Sequence, residues 1–232
     1  MFGRDLPPSK PRLLGVVMFL CWSAKGGSGT TVVAASLALV LSQRTPTLLV
    51  DLAGDAPAAL GVAEPSGPGV TDWLTSSLAD AAAFDRLAVP ANADLALVPR
   101  GLAHPAIGAD GWSRLAEVLD AHDRGVVVDA GTGVPPAALL ERASHSLLVV
   151  RPCYLALRRA VTLGLRTTGV VLVTESQRAL TARDVERALG APVVAEVPID
   201  PMVARSVDAG LLATRLPRSL TTALDRTFVE AT

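Results

Sequence analysis

The stretch SAKGGSGTTVVAASLAL, Ser23 to Leu39, decides how the rest of the chain is read. Gly26, Gly27 and Gly29 let the backbone curl so that successive N–H groups, that of Ser28 among them, converge on one anion. The apolar run that follows has helical spacing, and the amino end of that helix adds its positive dipole at the same place. A strand, a glycine-rich turn and a helix in this order form a phosphate-binding loop. Thr31, at the helix start, is the hydroxyl that coordinates magnesium in such loops. Thr30 holds the preceding place, where a lysine normally reaches the outer phosphates. The plainer alternative is a tight strand-to-helix turn without a ligand.

On either side, short apolar runs alternate with helix-length segments. The runs Leu14 to Cys21, Thr47 to Leu52, Leu95 to Pro99, Gly125 to Ala130, Ser146 to Arg151, Gly169 to Thr174 and Pro192 to Val197 predict seven strands. Thr31 to Ser42, Gly111 to Ala121, Pro135 to Ala143, Leu155 to Leu165 and Thr181 to Leu189 carry apolar residues three and four apart, as helices do, and a further helix is expected around Thr71 to Leu78. Such βαβ alternation gives an α/β fold: a doubly wound, mostly parallel seven-stranded sheet in a single domain, with ligands at the carboxyl ends of the strands; the glycine loop after its first strand is what makes the P-loop NTPase type the expectation. The domain is expected over residues 13–232, after a frayed tail over 1–12.

Half of the 232 residues are hydrophobic and only 3% aromatic, so Ala, Val and Leu must fill the core, which suits a sheet covered by helices. Lys plus Arg number 21 against 22 Asp plus Glu, which leaves no broad basic surface for nucleic acid. The most apolar run, Leu13 to Cys21, is about half the length of a membrane-spanning helix. Cys21 and Cys153 read as two buried thiols. His104, His122 and His145 have no nucleophile pattern beside them and read as surface residues. Trp73 and Trp112 read as core or interface anchors, and Arg158 and Arg159 as a solvated helix face. Leu220, Leu224 and Phe228, four apart, predict a last helix docked on the sheet; its Arg218 and Arg226 are balanced by Asp225 and Glu230, which supports membrane attachment only weakly.

KGGSGTT resembles the deviant loop of the MinD/ParA-type ATPases, K-G-G-x-G-K-[ST], with Lys25 at the signature lysine and Thr30 replacing the second one. The resemblance implies that Lys25 crosses the interface of a face-to-face homodimer to phosphates held by the other subunit, with ATP and Mg2+ as the ligands. TLLVDLAGD resembles the family's second strand, which implies a place for Asp51 near the magnesium and the attacking water. GVVVDAGTG resembles the strand ending in the metal-site aspartate, here Asp129, with Gly131 and Gly133 in a switch-like turn. VPID, containing Pro198 and Asp200, lies where adenine is cradled, and Thr174 ends the strand that commonly carries an adenine-reading asparagine. Nearly the full chain is covered.

A second departure is Ala53, where the family commonly has another aspartate; Asp55 is the nearest substitute. Atypical members, the CpaE/TadZ and BcsQ kinds, also tend to read GGxGxTT or similar, and Asp51 with Asp55 resembles the BcsQ spacing. Losing one charge-assisted hydrogen bond to phosphate weakens binding by roughly 10- to 150-fold. Catalysis suffers more, because a fixed cation acts most strongly on the transition state. The expectation is a cytoplasmic Mg-ATP-binding homodimer that serves as a platform for a protein partner at the cell envelope, with peripheral attachment to the inner face of the membrane only weakly supported. Hydrolysis is expected to be weak or absent. A nucleotide-independent scaffold and a DNA partition ATPase are the alternatives.

Overall fold

A computed structural model describes residues 17–102, 106–165, 167–176 and 178–229, with side chains to residue 225 in the last helix. Its central strand, β1 (Met18–Ser23), is wholly buried because both faces are covered. Phe19 and Cys21 enter one core; Met18, Leu20 and Trp22 enter the other. The same alternation recurs in β2 (Thr47–Asp51), where Leu49 opposes Leu48 and Val50, and in β5 (Gly125–Thr132), where Val127 opposes Val126 and Val128. Every second side chain therefore belongs to a different core, and a one-residue slip would exchange the two sets.

The remaining strands are β3 (Val89–Pro90), β4 (Leu95–Val98), β6 (His145–Val150), β7 (Gly169–Thr174) and β8 (Val193–Pro198). They form one sheet in the order β3-β4-β2-β5-β1-β6-β7-β8, and every pairing is parallel except β3 with β4. Eight strands thus replace the expected seven. The extra one is two residues long and ends in Pro90 at the sheet edge, too short to show any periodicity and placed where proline is tolerated.

Ten helices are described, and they divide cleanly between the two faces. α1 (Thr30–Ser42), α2 (Ala56–Leu60), α9 (Pro201–Asp208) and α10 (Arg218–Val229) cover one core. α3 (Val70–Thr75), α4 (Ala81–Asp85), α5 (Ala109–Asp120), α6 (Ala137–Arg142), α7 (Tyr154–Leu163) and α8 (Ala182–Leu189) cover the other. α1 buries 11 of its 13 residues, because α10 lies over the side that the sheet leaves open. The helix that carries the glycine loop is consequently held from all sides.

Several expectations change in detail. The start of the first strand (Leu14 to Val16), the tail, His104 and the side chain of Phe228 lie outside the described residues; Leu220 and Leu224 are buried as the docked-helix reading requires. The helix expected to reach Leu78 stops at Thr75, since Ser76 is extended, and Leu78 is 94% exposed. The helix expected to reach Leu165 stops at Leu163, where Gly164 turns left-handed. His122 and His145 are half-buried rather than on the surface: His122 lies against Asp85, and His145 stacks on Phe19, so burial lowers its pKa. Cys153 is also only partly buried, because it precedes α7 at the rim, whereas Cys21 is fully enclosed. Trp73 is a core anchor, edge-on to Phe84 and beneath the Arg114 guanidinium; Trp112 is half-buried. Arg158 and Arg159 are exposed.

Candidate functional site

At the carboxyl end of β1 the chain leaves the sheet through Gly26, Gly27, Ser28 and Gly29 and enters α1 at Thr30. Gly27 and Gly29 sit at φ of 76° and 87°, a conformation that side chains with a Cβ rarely adopt. Ser28 is buried, and its hydroxyl donates to the Lys25 carbonyl at 2.7 Å, closing the curl. The first helical hydrogen bond is donated by Val33 to the Gly29 carbonyl at 3.0 Å. Among the described residues, the N–H groups of residues 27 to 31 find no acceptor. Ser28 and Thr30 are buried while Gly27 and Gly29 are exposed, and unpaired main-chain donors gathered at such a rim ahead of a helix are a place for an anion.

Beneath this loop, β2 and β5 pair in register and set Asp51 beside Asp129, both completely buried. Their environments differ. Asp51 Oδ1 accepts the N–H groups of Ala53 at 2.9 Å and Gly54 at 2.7 Å, and Oδ2 accepts that of Ala56 at 3.0 Å. Burial raises its pKa, and these three donors work against the rise. Asp129 Oδ1 accepts only the Gly131 N–H at 3.0 Å, while Oδ2 has no hydrogen-bond partner among the described residues. Burial pushes the Asp129 carboxyl up to about 6; the Thr31 hydroxyl opposes this, and the Asp51 charge adds to it. Thr31 thus lies close enough to influence Asp129 without making a full hydrogen bond to Oδ2. The orphaned oxygen and a helix-start hydroxyl are a hard, oxygen-only donor set, which fits magnesium.

The turn after Asp129 is tied to the end of β1. Ser23 Oγ lies 3.3 Å from the Gly131 carbonyl and 3.2 Å from Thr132 Oγ1, and Gly133 N–H donates to the Ser23 carbonyl at 2.9 Å. Gly131 also approaches the next loop so closely that a Cβ there would come within 3.1 Å of the Ala53 Cβ. The Asp129 turn and the Asp51 loop are therefore in contact.

These elements enclose a cavity of about 890 Å³. Its walls include Gly27 to Val32, Ala53, Asp55, Arg100, Gly131 and Thr132, and its far end is made by Val207, Asp208 and Gly210. That end is held by a glycine pair: Gly61 lies so close to Gly210 that a Cβ on Gly61 would fall 1.8 Å from the Gly210 carbonyl oxygen. Of the residues expected to bind nucleotide, Ser28, Gly27, Gly29, Thr30 and Thr31 are brought together here, with Asp55 on the wall; Asp51 and Asp129, side by side at the strand ends, do not line the cavity themselves but directly precede its lining residues Leu52 and Ala130. Lys25 does not line the cavity; its Nζ is 3.4 Å from its neighbour's Gly26 carbonyl at an exposed position.

Thr174, Pro198 and Asp200 are not brought to the cavity. Thr174 and Pro198 pair across β7 and β8, and Asp200 caps α9, accepting the Met202 N–H and the Ser219 hydroxyl, each at 2.8 Å. Sequence reasoning missed Arg100, Thr132 and Asp208. Thr132 ends β5 inside the GVVVDAGTG stretch but is not singled out there; Arg100, just after β4, and Asp208, the last residue of α9, carry no local mark, since their arrival at the site depends on the fold.

No family model matches the chain, and no curated protein matches it by sequence. The fold itself has solved counterparts. A ParA family ATPase from Chlorobium tepidum is similar at 22% identity and a TM-score of 0.74, over 90% of this chain and 96% of that one. MinD of Aquifex aeolicus in its complex with MinC is similar at 18% and 0.74, over 94% and 96%. The septum site-determining protein MinD of Pyrococcus horikoshii, complexed with Mg-ADP, is similar at 18% and 0.70, again over 94% and 96%. From end to end, the described chain has the fold of the MinD and ParA ATPases.

Proposed function

We propose that this protein binds Mg-ATP between two copies of itself, hydrolyses it slowly or not at all, and uses the nucleotide-loaded homodimer as a docking platform for a protein of the cell envelope. One observation carries the reading: five main-chain donors without acceptors line one cavity, and the unpartnered Asp129 Oδ2 belongs to the residue just before its lining residues Ala130 and Gly131. Donors for phosphate and an oxygen ligand for a cation are both present, and nothing in the described chain satisfies either. Phosphate oxygens would be received by the N–H groups of Gly27 to Thr31, and magnesium would be held by the Thr31 hydroxyl and Asp129, with Asp51 beside it. When bound, magnesium supplies charge neutralisation at the phosphates.

Weak turnover follows from what stands around these groups. Thr30 offers a hydroxyl in place of an ammonium, Ala53 carries no carboxylate, and the Asp51 oxygens are largely committed to the loop. Asp55, in the loop after β2, lies on the cavity wall and is the carboxylate of that loop left for orienting a water. The dimer reading rests on Lys25, outside its own cavity, and on five exposed apolar residues beyond the carboxyl ends of the strands: Val134, Tyr154, Leu155, Ile199 and Met202. They follow β5, β6 and β8, so a second copy meeting the carboxyl end of the sheet would cover them. No helix among the described residues is long and apolar enough to cross a membrane. The envelope partner and the cytoplasmic location are inferred from the loop's resemblance to the CpaE/TadZ and BcsQ kinds; the charge balance of the last helix supports membrane attachment only weakly.

A second reading, a scaffold that ignores nucleotide, is favoured by Thr30 and by the self-sufficient Asp51 loop. Titration with a fluorescent ATP analogue and magnesium, followed by mass measurement in solution, separates the two. The proposal expects saturable binding and a doubled mass with ATP. Binding without any change of mass overturns the dimer; no binding leaves the scaffold.

A further inference from the structure

The cavity that holds the glycine loop is walled by three charged residues among those described: Asp55, Asp208 and Arg100. Two are anions. Without Arg100 the side chains of the wall would repel a triphosphate, and the loop offers no ammonium at position 30 to offset them. Lys25 does not contribute from within the same chain. Arg100 is the one cation on the described wall.

Its placement is specific. Arg100 follows β4, and its carbonyl accepts both the N–H of Thr71 at 3.0 Å and the Thr71 hydroxyl at 2.8 Å, so its backbone is fixed to the start of α3. Its side chain lies across the loop after Asp51, where Gly54 makes room: a Cβ there would come within 3.3 Å of the Arg100 Cδ. Nη1 donates to the Ala53 carbonyl at 3.3 Å, which occupies one of the five guanidinium donors. No carboxylate lies within ion-pairing distance of Arg100 among the described residues. A half-buried guanidinium with a fixed base, a propped stem and no counterion is prepared for an anion from outside the chain.

We propose that Arg100 is the in-cis cation of this site, its guanidinium pairing with the phosphate chain of a bound nucleoside triphosphate in place of the lysine that Thr30 replaces. This rests on the nucleotide reading given above. Phosphate recognition would then have moved from the first turn of α1 to the end of β4, with the charge retained and its direction of approach changed.

The test is a double-mutant cycle read as affinity for a fluorescent ATP analogue with magnesium, alongside melting temperature without nucleotide. Arg100→Gln keeps a donor for the Ala53 carbonyl and removes the charge; Arg100→Met is a second neutral variant of similar length. Either should weaken binding by about tenfold or more. Thr30→Lys restores an ammonium in the loop, and in that background the Arg100 substitution should cost less than about threefold, since the two cations would serve the same phosphates. A wild-type protein that binds the analogue, with neutral variants that bind as tightly, overturns the role of Arg100 and leaves the nucleotide site standing. Equal losses in both backgrounds, with a lowered melting temperature, show that Arg100 only props the Ala53 loop and overturn it too. Absence of binding by the wild type overturns the nucleotide reading, and this inference with it.

Discussion

Two loops face the same cavity and treat their polar groups in opposite ways. In the glycine loop, the N–H groups of residues 27 to 31 have no acceptors among the described residues. In the loop after β2, Asp51 takes up three N–H groups and both of its oxygens are engaged. The first loop is incomplete by itself and gains from a ligand, whereas the second is complete without one. Between them stands Asp129, satisfied on one oxygen and orphaned on the other. On the nucleotide reading proposed above, the first loop is the one that would take the triphosphate, while the neighbouring loop, with Ala53 in it, serves structure.

The largest effect is expected at Asp129. Asp129→Asn should weaken magnesium-dependent nucleotide binding by at least roughly 100-fold, because an amide replaces an anionic ligand. The same substitution should stabilise the ligand-free protein. The folded-state pKa of about 6 lies above the unfolded value of 3.8, so the native protein binds the proton more tightly. The native state therefore bears no cost from Asp129 below the unfolded value, a growing one as pH rises toward 6, and a full one above, on the order of 3 kcal/mol. Melting curves of wild type and variant from pH 4 to 8, without magnesium, should diverge across that window. Parallel curves would mean that Asp129 is already paired.

At position 30, restoring the lysine sharpens the comparison from the other side. Thr30→Lys should tighten nucleotide binding by about tenfold, one charge-assisted hydrogen bond, and should raise turnover above that of the wild type. Calorimetry and a phosphate-release assay read the two effects separately. Unchanged affinity would show that the loop does not present position 30 to the phosphates.

Asp51 should behave as a structural residue. Asp51→Asn retains one acceptor oxygen but turns an amide N–H2 toward backbone donors, at a cost of about 2 kcal/mol or more. Thermal melting should show it as a fall of roughly 4–8 °C, with nucleotide affinity little changed. A loss of affinity as large as that of Asp129→Asn, with no loss of stability, would place Asp51 on the ligand side of the contrast.

The smallest effect concerns the two thiols. Cys21 is fully enclosed, and burial, aided by the neighbouring Asp129 charge, raises its pKa far above the ordinary thiol range, so it stays protonated and inert. Cys153, partly exposed, should be labelled by a thiol reagent at neutral pH while Cys21 reacts only on unfolding; mass spectrometry distinguishes one adduct from two.

Much of the fold is legible in the sequence because a buried parallel strand is a short run of apolar residues, and such runs are visible without any partner. The glycine loop is legible for a similar reason: Gly27 and Gly29 answer a local backbone demand, and the helix that follows them is contiguous in the chain. α2, only five residues long, and the two-residue β3 are not legible, since neither is long enough to establish a period. Asp51 and Asp129 each look like a strand-end carboxylate in isolation. Only the β2–β5 register sets them side by side, and only the path of each loop decides that one is satisfied and the other is left with a bare oxygen.

By itself, the order of residues determined an α/β sheet with a phosphate-type loop at its centre and the absence of a lysine at position 30, because periodicity, glycine conformations and residue identity are properties of the chain taken a few residues at a time. The tertiary structure decided which charges meet. Arg100, Asp208 and the Gly61–Gly210 contact come from segments some 30 to 180 residues from the loop, and their arrival at one cavity follows from strand order and helix packing, which no local pattern encodes.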